Sequence, residues 1–349
     1  MAVRVLIDIL HPAHVHHYRH LAAKVIEEGG AVLFTARRKD VTIALLEAYN
    51  LPFEILSSRA QGALGLGLEL ATRVAKLIPI ARRFRPDLML GIMGPVIAPV
   101  GKLLGIPTIV SYDTEEATVT NRWVFPLATR VLVPECWIGP RTTNMVTYPG
   151  LQELAYLHPD RFTPDAETVR ASGIDPNTPY IVVRLASLIA SHDIDTHATG
   201  VSNVEALVSA LEKHAKVIFT GEAGIPSSLQ GRVCTVPPEH LHHVMAFASL
   251  VIGDGITTCV EAGVLGVPAI IVHSWRLGYM VEMEERWQLI ANRDHLEQAL
   301  EVADQWLNME TRERRTLWQH RRQQLLAHRH DTTEILWTHV HELAKGKQP

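Results

Sequence analysis

The sequence has no long apolar run, no excess of positive charge and few cysteines. No stretch approaches the roughly 20 apolar residues of a membrane-spanning helix, so no integral membrane segment is expected. Lysine and arginine number 33 against 37 aspartate and glutamate, and the net charge of −4 argues against a nucleic acid partner. The three cysteines, Cys136, Cys234 and Cys259, lack metal-ligand spacing and leave an odd thiol, which favours a reducing cytoplasm.

The amino terminus lacks the small-residue cleavage site of a signal peptide. Val3–Ile9 is instead a β-branched run that predicts a first strand. A cytoplasmic location is therefore expected. Peripheral attachment to the inner face of the membrane is an alternative, because Gly65–Phe84 combines leucines with basic residues. An ordinary amphipathic helix explains the same segment.

What the sequence does contain is an alternation of strands and helices that occurs twice. Its 349 residues, 47% hydrophobic and 20% charged, are enough for two globular domains. The first series starts at Val3–Ile9 and the second at Tyr180–Arg184, after a polar, proline-containing stretch. We therefore predict an α/β protein with an amino-terminal Rossmann-like domain over 1–160 and a second over 175–330. A carboxyl-terminal helix within 331–349 is expected to return to the first domain.

The most informative segment is Ile252–Pro268, in which a strand ends in glycines and a helix follows. Glycine lets a ligand approach the backbone, and a helix amino terminus offers free N–H groups to a diphosphate. The carboxylate of Glu261 can take both hydroxyls of a ribose. The alternative is that Thr257 caps the helix and Glu261 is a solvated acid. The candidate nucleotide-sugar contacts here are Gly253, Asp254, Gly255, Thr257, Thr258 and Glu261.

This segment resembles the donor-nucleotide segment of glycosyltransferase-B proteins, including the MurG transferases and the non-hydrolysing UDP-N-acetylglucosamine 2-epimerases. The resemblance implies a glycosyltransferase-B fold, with two Rossmann-like domains facing across a cleft, and places the ribose contact on Glu261. Nearly the whole chain is similar to the uncharacterised DUF354 family. That similarity rests on Ile7–His16, Asp113–Glu115, Pro134–Cys136 and Arg276–Tyr279.

Histidines cluster where the first strand meets the first helix, at His11–His17. In an open α/β sheet, ligands bind at the carboxyl ends of the strands, and a neutral histidine there can take a proton from a hydroxyl. His14, aligned with the Gly-Gly-His segment of MurG-like proteins, is the first candidate catalytic residue, and His11 is the second. A structural role is the alternative. His16 and His20 have the spacing of a metal pair but no third ligand, so no metal site is predicted.

An acidic segment follows a later strand of the first domain. Asp113 and Glu116 are candidate catalytic residues, acting as general acid or base or binding acceptor hydroxyls. A capping-box pair at a helix start explains them equally well. Gly91–Pro95 has no acidic residue where the resembled epimerases carry His-Gly-Asp, which counts against epimerisation.

Four further residues are predicted to contact the nucleotide-sugar. Arg184 ends the first strand of the second domain and can face a diphosphate, although a surface cation is an equal alternative. Gly221 ends the next strand, near the expected position of the base. The backbone N–H groups of Leu277 and Gly278 open a further helix beside the donor segment.

These residues together predict a nucleotide-sugar-dependent glycosyltransferase acting in the cleft between the domains. The donor, expected to be UDP-linked, is a substrate, and no cofactor is expected. The acceptor is unknown, with a lipid-linked acceptor as one option. The alternatives are a 2-epimerase-like isomerase and a non-catalytic nucleotide-sugar-binding protein, since one fold hosts many functions.

Overall fold

The computed structural model describes residues 2–58, 62–185, 201–220 and 225–345. The chain forms two compact units. The first unit contains Met1–Arg161, Leu277–Tyr279 and Arg329–Pro349, and the second contains Phe162–Arg276 and Met280–His328. The sequence analysis assigned Leu277 and Gly278 to the second domain, whereas both pack within the first unit.

The first unit is built on a parallel sheet of seven strands in the order β3-β2-β1-β4-β5-β6-β7. Its helices form two apolar cores with the sheet, so the interior strand β1 is buried along almost its whole length. The strands are β1 (Arg4–Ile9), β2 (Ala31–Arg38), β3 (Phe53–Ser58), β4 (Leu88–Ile92), β5 (Thr108–Ser111), β6 (Arg130–Pro134) and β7 (Met145–Tyr148). The helices are α1 (Pro12–Glu27), α2 (Thr42–Ala48), α3 (Gly62–Phe84), α4 (Ile97–Leu104), α5 (Thr118–Val124) and α6 (Leu154–Leu157).

The second unit has a parallel sheet of five strands in the order β12-β11-β10-β8-β9. These strands are β8 (Tyr180–Arg184), β9 (Lys216–Phe219), β10 (Leu250–Gly253), β11 (Ala269–Val272) and β12 (Ile290–Arg293). The helices are α7 (Ala166–Ala171), α8 (Val201–Leu211), α9 (Leu241–Ala246), α10 (Ile256–Val264), α11 (Gly278–Val281), α12 (Leu296–Leu307) and α13 (Thr311–His328), of which α11 starts in the first unit.

The charged tail forms two helices that belong to different units. Helix α13 lies in the second unit, and α14 (Thr332–Lys345) lies in the first, where it packs on α1 and α6. Leu336 and Val340 of α14 are buried in a core of the first unit, with Leu343 packed against it. Those apolar positions, spaced by four and then three residues, lie on one face of α14 and explain why it docks there.

The order of the strands reverses at one place in each sheet. In the first sheet β1 has β2 on one side and β4 on the other, and in the second sheet β8 lies between β9 and β10. At each reversal, the chain that follows one strand runs to one face of the sheet, and the chain that follows the neighbouring strand runs to the opposite face. The separation of these two connections opens a crevice at the carboxyl ends of the two strands. His11 and His14 follow β1, and Gly253 pairs with Arg184 across the second reversal. The sequence candidates therefore lie where such sheets bind ligands.

A buried ion pair lies beneath the first crevice. The Asp8 carboxylate on β1 accepts from the Arg73 guanidinium of α3 at 2.7 Å and from the Thr35 hydroxyl at 2.8 Å. Asp8 and Arg73 are each 2% exposed, so neither charge is compensated by water. Burial raises the pKa of Asp8, while Arg73 and Thr35 oppose that shift. The pair fixes α3 against the carboxyl end of β1.

We expect Arg73→Met to lower the free energy of unfolding by about 3–5 kcal/mol, because it leaves a buried carboxylate without its partner. The double variant Asp8→Asn/Arg73→Met should lose much less, since no buried charge remains. Denaturant titration measures both losses. Arg82→Met, which removes an exposed arginine of the same helix, is the control. A loss below about 1 kcal/mol for Arg73→Met would show that the pair contributes no more than a surface ion pair.

Candidate functional site

The loop between β1 and α1 is held by histidine side chains. His11 is the N-cap of α1, and its Nδ1 accepts from the backbone N–H of Ala13 at 3.3 Å. Pro12 occupies the first helical position, where a missing N–H costs nothing. His11 thus has a structural task at the helix start, next to His14, with ring centroids 6.0 Å apart.

The imidazole of His14 is buried and oriented by the same loop. Its Nδ1 accepts from the backbone N–H of Leu10 at 3.3 Å. Burial lowers the pKa of His14 well below its usual value, and the positive groups around it, led by His11 and His17, lower it further. His14 is therefore a neutral imidazole at physiological pH.

The other histidines of α1 make structural contacts. His16 lies 3.2 Å from the Tyr49 hydroxyl and stacks on Tyr156. His17 contacts the Gln152 carbonyl at 3.1 Å, and burial lowers its pKa to about 4. His20 accepts from Arg19 at 3.2 Å. In the described ranges, no three His, Cys, Asp or Glu side chains form a group that could hold a metal ion.

Asp113 lies just beyond the carboxyl end of β5 and is half-buried. Its carboxylate accepts from the Thr114 hydroxyl at 3.0 Å. Burial raises the pKa of Asp113 to about 7, and the neighbouring Glu115 adds to the rise. A carboxyl group that titrates near neutral pH can both take up and release a proton under physiological conditions.

The capping-box interpretation of this segment is wrong. Helix α5 starts only at Thr118, with Ala117 at the N-cap position, so neither Asp113 nor Glu116 caps it. The Glu116 side chain is exposed, and it lies on the loop that precedes the helix. Because its side chain is exposed, Glu116 is the weaker catalytic candidate.

Glu115, which the sequence analysis did not select, is the acid that organises this part of the first unit. Its Oε1 accepts from the backbone N–H of Ile138 at 3.1 Å and from that of Gly278 at 3.3 Å. Burial raises the pKa of Glu115. The Gly278 N–H, proposed from the sequence as a donor to the nucleotide-sugar, is thus already bound to a carboxylate.

Close packing explains the glycine at position 278. A β-carbon there would lie 2.0 Å from the Cys136 carbonyl oxygen, so no side chain fits. Leu277 beside it is buried. Helix α11 has only four residues, too few for a strong dipole. These contacts assign Leu277 and Gly278 a structural position in the first unit, with no free helix terminus for a phosphate.

Two buried tyrosines accompany Asp113 in the first unit, and the sequence analysis missed both. Burial raises the pKa of Tyr148 and of Tyr279, and the Asp113 charge is the next cause in each case. Within the described residues, the Tyr148 hydroxyl has no hydrogen-bond partner. Buried tyrosine hydroxyls normally have one, so this hydroxyl is a candidate for contact with a substrate.

The reversal point of the second sheet brings together Arg184 and Gly253. A β-carbon on Gly253 would lie 1.8 Å from the Arg184 carbonyl oxygen. Strand packing therefore requires this glycine, and ligand approach is not needed to explain it. The Arg184 guanidinium donates to the Thr220 carbonyl, which fixes the side chain along the carboxyl edge of the sheet.

Helix α10 begins directly at this edge without a side-chain cap. Its N-cap is Gly255, and no capping hydrogen bond from a described side chain is made. Thr257 and Thr258 lie in the first turn, so the interpretation of Thr257 as an N-cap is wrong. The first three N–H groups, those of Ile256, Thr257 and Thr258, have no acceptor within the helix. Gly255 has φ −76°, which any residue adopts, so its small size matters more than its backbone freedom.

Glu261 is held one turn further along α10 by a residue that the sequence analysis missed. His242 of α9 places its Nε2 3.0 Å from Glu261 Oε1. Both side chains are buried, at 3% and 6% exposure. The imidazole thereby fixes the direction of the carboxylate, as partners of binding groups commonly do. Asp254, also buried, precedes the helix, whereas Gly221 lies outside the described residues.

Comparison with known proteins assigns the chain to a family. Residues 3–345 match the family described as "Protein of unknown function (DUF354)". The chain belongs to this family. A relative from Methanocaldococcus jannaschii, the uncharacterized protein MJ0665, is 23% identical over 80% of this chain and 86% of its own length. Among the described helices, none has the length and apolar character needed to cross a bilayer.

Named relatives include glycosyltransferases. The UDP-N-acetylglucosamine–N-acetylmuramyl-(pentapeptide) pyrophosphoryl-undecaprenol N-acetylglucosamine transferase of Halorhodospira halophila is 25% identical over 74% of each chain. Two solved structures share the fold with a TM-score of 0.65. The spinosyn forosaminyltransferase SpnP is 15% identical over 97% of this chain and 100% of its own. The UDP-GlcNAc 2-epimerase of Methanocaldococcus jannaschii is 11% identical over 88% and 94%. These similarities confirm the predicted glycosyltransferase-B fold.

The raised pKa of Asp113 predicts a pH-dependent stability. Because the folded protein holds this proton more tightly than the unfolded chain, the free energy of unfolding falls as pH rises from about 4 to about 7. Asp113→Asn cannot ionise. We therefore expect it to be more stable than the wild type at about pH 8 by on the order of 1–2 kcal/mol, and no more stable at about pH 4.

Thermal unfolding at the two pH values measures this difference. Glu116→Gln, which changes an exposed carboxylate of the same loop, is the control and should show no pH-dependent gain. If Asp113→Asn gives the same change at both pH values, its carboxyl does not titrate near neutral pH in the folded protein.

Proposed function

We propose that the protein is a nucleotide-sugar-dependent glycosyltransferase that binds its donor on the second unit. The observation that carries the proposal is the amino terminus of α10 at the strand reversal, which no side chain of the described residues caps. Free N–H groups and the helix dipole at that position favour a diphosphate. Arg184 beside it supplies a full positive charge. Named relatives and fold neighbours that transfer sugars support the same class of reaction.

The remaining features of the second unit suit a nucleotide. Glu261 lies one helical turn beyond the proposed diphosphate position, and its carboxylate can accept from two ribose hydroxyls. His242 holds that carboxylate in one orientation. Thr257 and Thr258 add hydroxyl groups in the first turn of α10. A related fold was solved with a nucleotide: the glycosyltransferase VinC in complex with DTDP, 15% identical, with a TM-score of 0.65.

The first unit supplies the groups for the acceptor. His14 lies at the reversal point of its sheet, and Asp113 follows β5 at the same carboxyl edge. Both side chains are held by short-range contacts, and Asp113 titrates near neutral pH. In the proposed reaction an acceptor hydroxyl attacks the anomeric carbon of the donor sugar. The bond from that carbon to the diphosphate breaks, and the acceptor proton passes to a base of the first unit.

Transfer is favoured over epimerisation by the end of β4. Epimerisation by elimination and re-addition needs a full acid–base set, and Gly91–Pro95 supplies no acidic side chain. The backbone there takes up the left-handed conformation at Met93 (φ 65°) and Gly94 (φ 66°). A β-carbon on Gly94 would lie 2.5 Å from Val110, so this turn packs tightly against β5. The turn is shaped by packing and carries no proton-transferring group of its own.

Incubation with UDP-, GDP- and dTDP-sugars tests the proposed reaction. We expect release of the nucleoside diphosphate that increases when an acceptor is added, with candidate acceptors including a lipid-linked one. Chromatography of the nucleotide products measures it. An isomerised donor without any acceptor would identify an epimerase. Saturable binding of the donor without turnover under any acceptor would identify a sugar-nucleotide sensor.

The ribose contact of Glu261 predicts a preference for ribonucleotides. Glu261→Gln should weaken binding of UDP by about 1–3 kcal/mol, the size of a lost charge-assisted hydrogen bond. Binding of 2′-deoxy-UDP should weaken less, because one ribose hydroxyl is already missing. The ratio of the affinity for UDP to the affinity for 2′-deoxy-UDP should therefore be smaller in the variant than in the wild type.

Calorimetry with the two nucleotides measures the preference. Glu301→Gln, an exposed glutamate on α12 of the same unit, is the matched control and should bind as the wild type does. Equal affinities of the wild type and Glu261→Gln for UDP would remove Glu261 from the nucleotide site.

A further inference from the structure

The hydrogen bond between Leu10 and His14 fixes the tautomer of the imidazole. The backbone N–H of Leu10 donates to His14 Nδ1, so Nδ1 carries no proton. In a neutral ring the single proton is then on Nε2. Leu10 itself is held in place, because its carbonyl accepts from Arg37 Nε at 2.9 Å. The loop therefore presents one defined face of the imidazole.

The surroundings keep this ring neutral. His11 acts on it from the N-cap position of α1 and His17 from within that helix. Arg37 acts from the end of β2, and Lys39 acts from the position just after this strand. Each of these groups is positive when it is charged, and each disfavours an imidazolium at His14. Burial of the ring has the same effect. A neutral imidazole with its proton on Nε2 can donate a hydrogen bond from that atom but cannot accept a proton there.

From this geometry we infer that His14 donates a hydrogen bond from Nε2 to a substrate oxygen, and that Asp113 is the base. The inference rests on the proposed transferase function. It assigns hydrogen-bond donation to His14 and proton acceptance to Asp113. A neutral imidazole at a helix amino terminus is suited to polarising an oxygen on which negative charge develops. The sequence analysis expected His14 to take the proton, which would require the opposite tautomer.

The proposed step is balanced as follows. The acceptor O–H loses its proton to the Asp113 carboxylate, and its oxygen forms the new bond to the anomeric carbon of the sugar. The bond between that carbon and the diphosphate oxygen breaks, and the electron pair leaves with the nucleoside diphosphate. His14 keeps its proton throughout. Asp113 then releases its proton to water, which completes the cycle.

Asp113 follows β5 at the same carboxyl edge of the sheet as His14, and its carboxylate accepts from the Thr114 hydroxyl at 3.0 Å. Glu115 adds a negative charge on the same loop, and burial has the largest effect on the Asp113 pKa. The Asp113 charge acts on Tyr112, Tyr148 and Tyr279, and burial keeps all three neutral by raising their pKa values. Turnover should accordingly rise with pH to a plateau above about pH 7, as the carboxylate forms.

Nitrogen-15 NMR of the whole protein tests the tautomer without any substrate. Long-range correlations between ring protons and ring nitrogens distinguish the two neutral tautomers, and the His14 signals are assigned by their loss in His14→Asn. We expect a proton on Nε2 and no titration between about pH 5.5 and about pH 8. A proton on Nδ1, or titration within that range, would overturn the inference and leave the transferase proposal standing.

Two variants distinguish the two functions of the His14 ring, which are to accept a hydrogen bond from Leu10 at Nδ1 and to donate one to the substrate from Nε2. Asparagine places an oxygen near the position of Nδ1, so His14→Asn keeps an acceptor for Leu10 but loses the distal donor. Glutamine places an N–H near the position of Nε2, so His14→Gln keeps the donor but loses the contact to Leu10. We expect turnover to fall about 100-fold in His14→Asn and less than about tenfold in His14→Gln. The pH plateau should stay in place in His14→Gln.

The other patterns of activity contradict the inference. Losses of about 1,000-fold in both variants would indicate a general base. Full activity in His14→Asn with a lower melting temperature and a large loss in His14→Gln would indicate a purely structural ring. If no sugar nucleotide supports turnover or binding in the wild type, the transferase proposal fails, while the NMR result still decides the tautomer.

Discussion

The strand order of each sheet is the constraint on which the candidate site depends. A parallel strand connects to its neighbour by a right-handed crossover, so strands added on opposite sides of a starting strand send their helices to opposite faces. The first strand of each unit, β1 or β8, is such a starting strand. Backbone N–H groups, histidines and acids that follow the strands therefore lie at the carboxyl edge, where such a sheet forms a crevice.

The two crevices differ in the charge that they offer. The second unit presents the amino terminus of α10 together with the guanidinium of Arg184, which suits a substrate with two phosphates. The first unit presents carboxyl groups, Asp113 and Glu115, whose pKa values are raised because burial disfavours their ionised forms. In the proposed reaction, anion binding and proton uptake thus belong to different sheets. This division follows from which residues terminate the strands.

Sequence patterns predicted the parts of this arrangement that depend on neighbours along the chain. Alternating apolar runs indicated β1 and β8, and glycines before a helix indicated the start of α10. The strands β3, β7 and β12 were missed because all three lie at sheet edges and none contains a continuous apolar run. The tail, expected to be one helical segment, is divided between the units after His328. The overlooked signal is Asp331, which directly precedes α14 and whose carboxylate accepts from the backbone N–H of Thr333 at 2.8 Å.

Contacts between distant residues account for what the sequence could not predict in the site. Glu115 binds the N–H of Gly278, 163 positions away, and nothing near Gly278 in the sequence indicates that its donor is occupied. The sequence analysis interpreted Gly253 as a ligand contact. The structure shows that a side chain at this position would collide with the backbone of Arg184 on β8. His242 became recognisable only when α9 was placed against α10. In each case the sequence did not show which residue, distant along the chain, supplies the atom that makes the contact.

The immediate partners of the two best candidate acids explain why they suit different tasks. The Glu261 carboxylate faces an imidazole nitrogen at 3.0 Å, so its orientation is fixed and a hydroxyl of a ligand meets it in one geometry. The Asp113 carboxyl receives one hydroxyl, from Thr114, and has a second carboxylate nearby. Proton gain and loss at Asp113 therefore disturb few other bonds. A group that must bind needs fixed partners, and a group that must exchange a proton needs its two states to be close in energy. The surroundings of Glu261 meet the first requirement and those of Asp113 meet the second, which is why the proposed reaction assigns nucleotide recognition to the second sheet and the chemical step to the first.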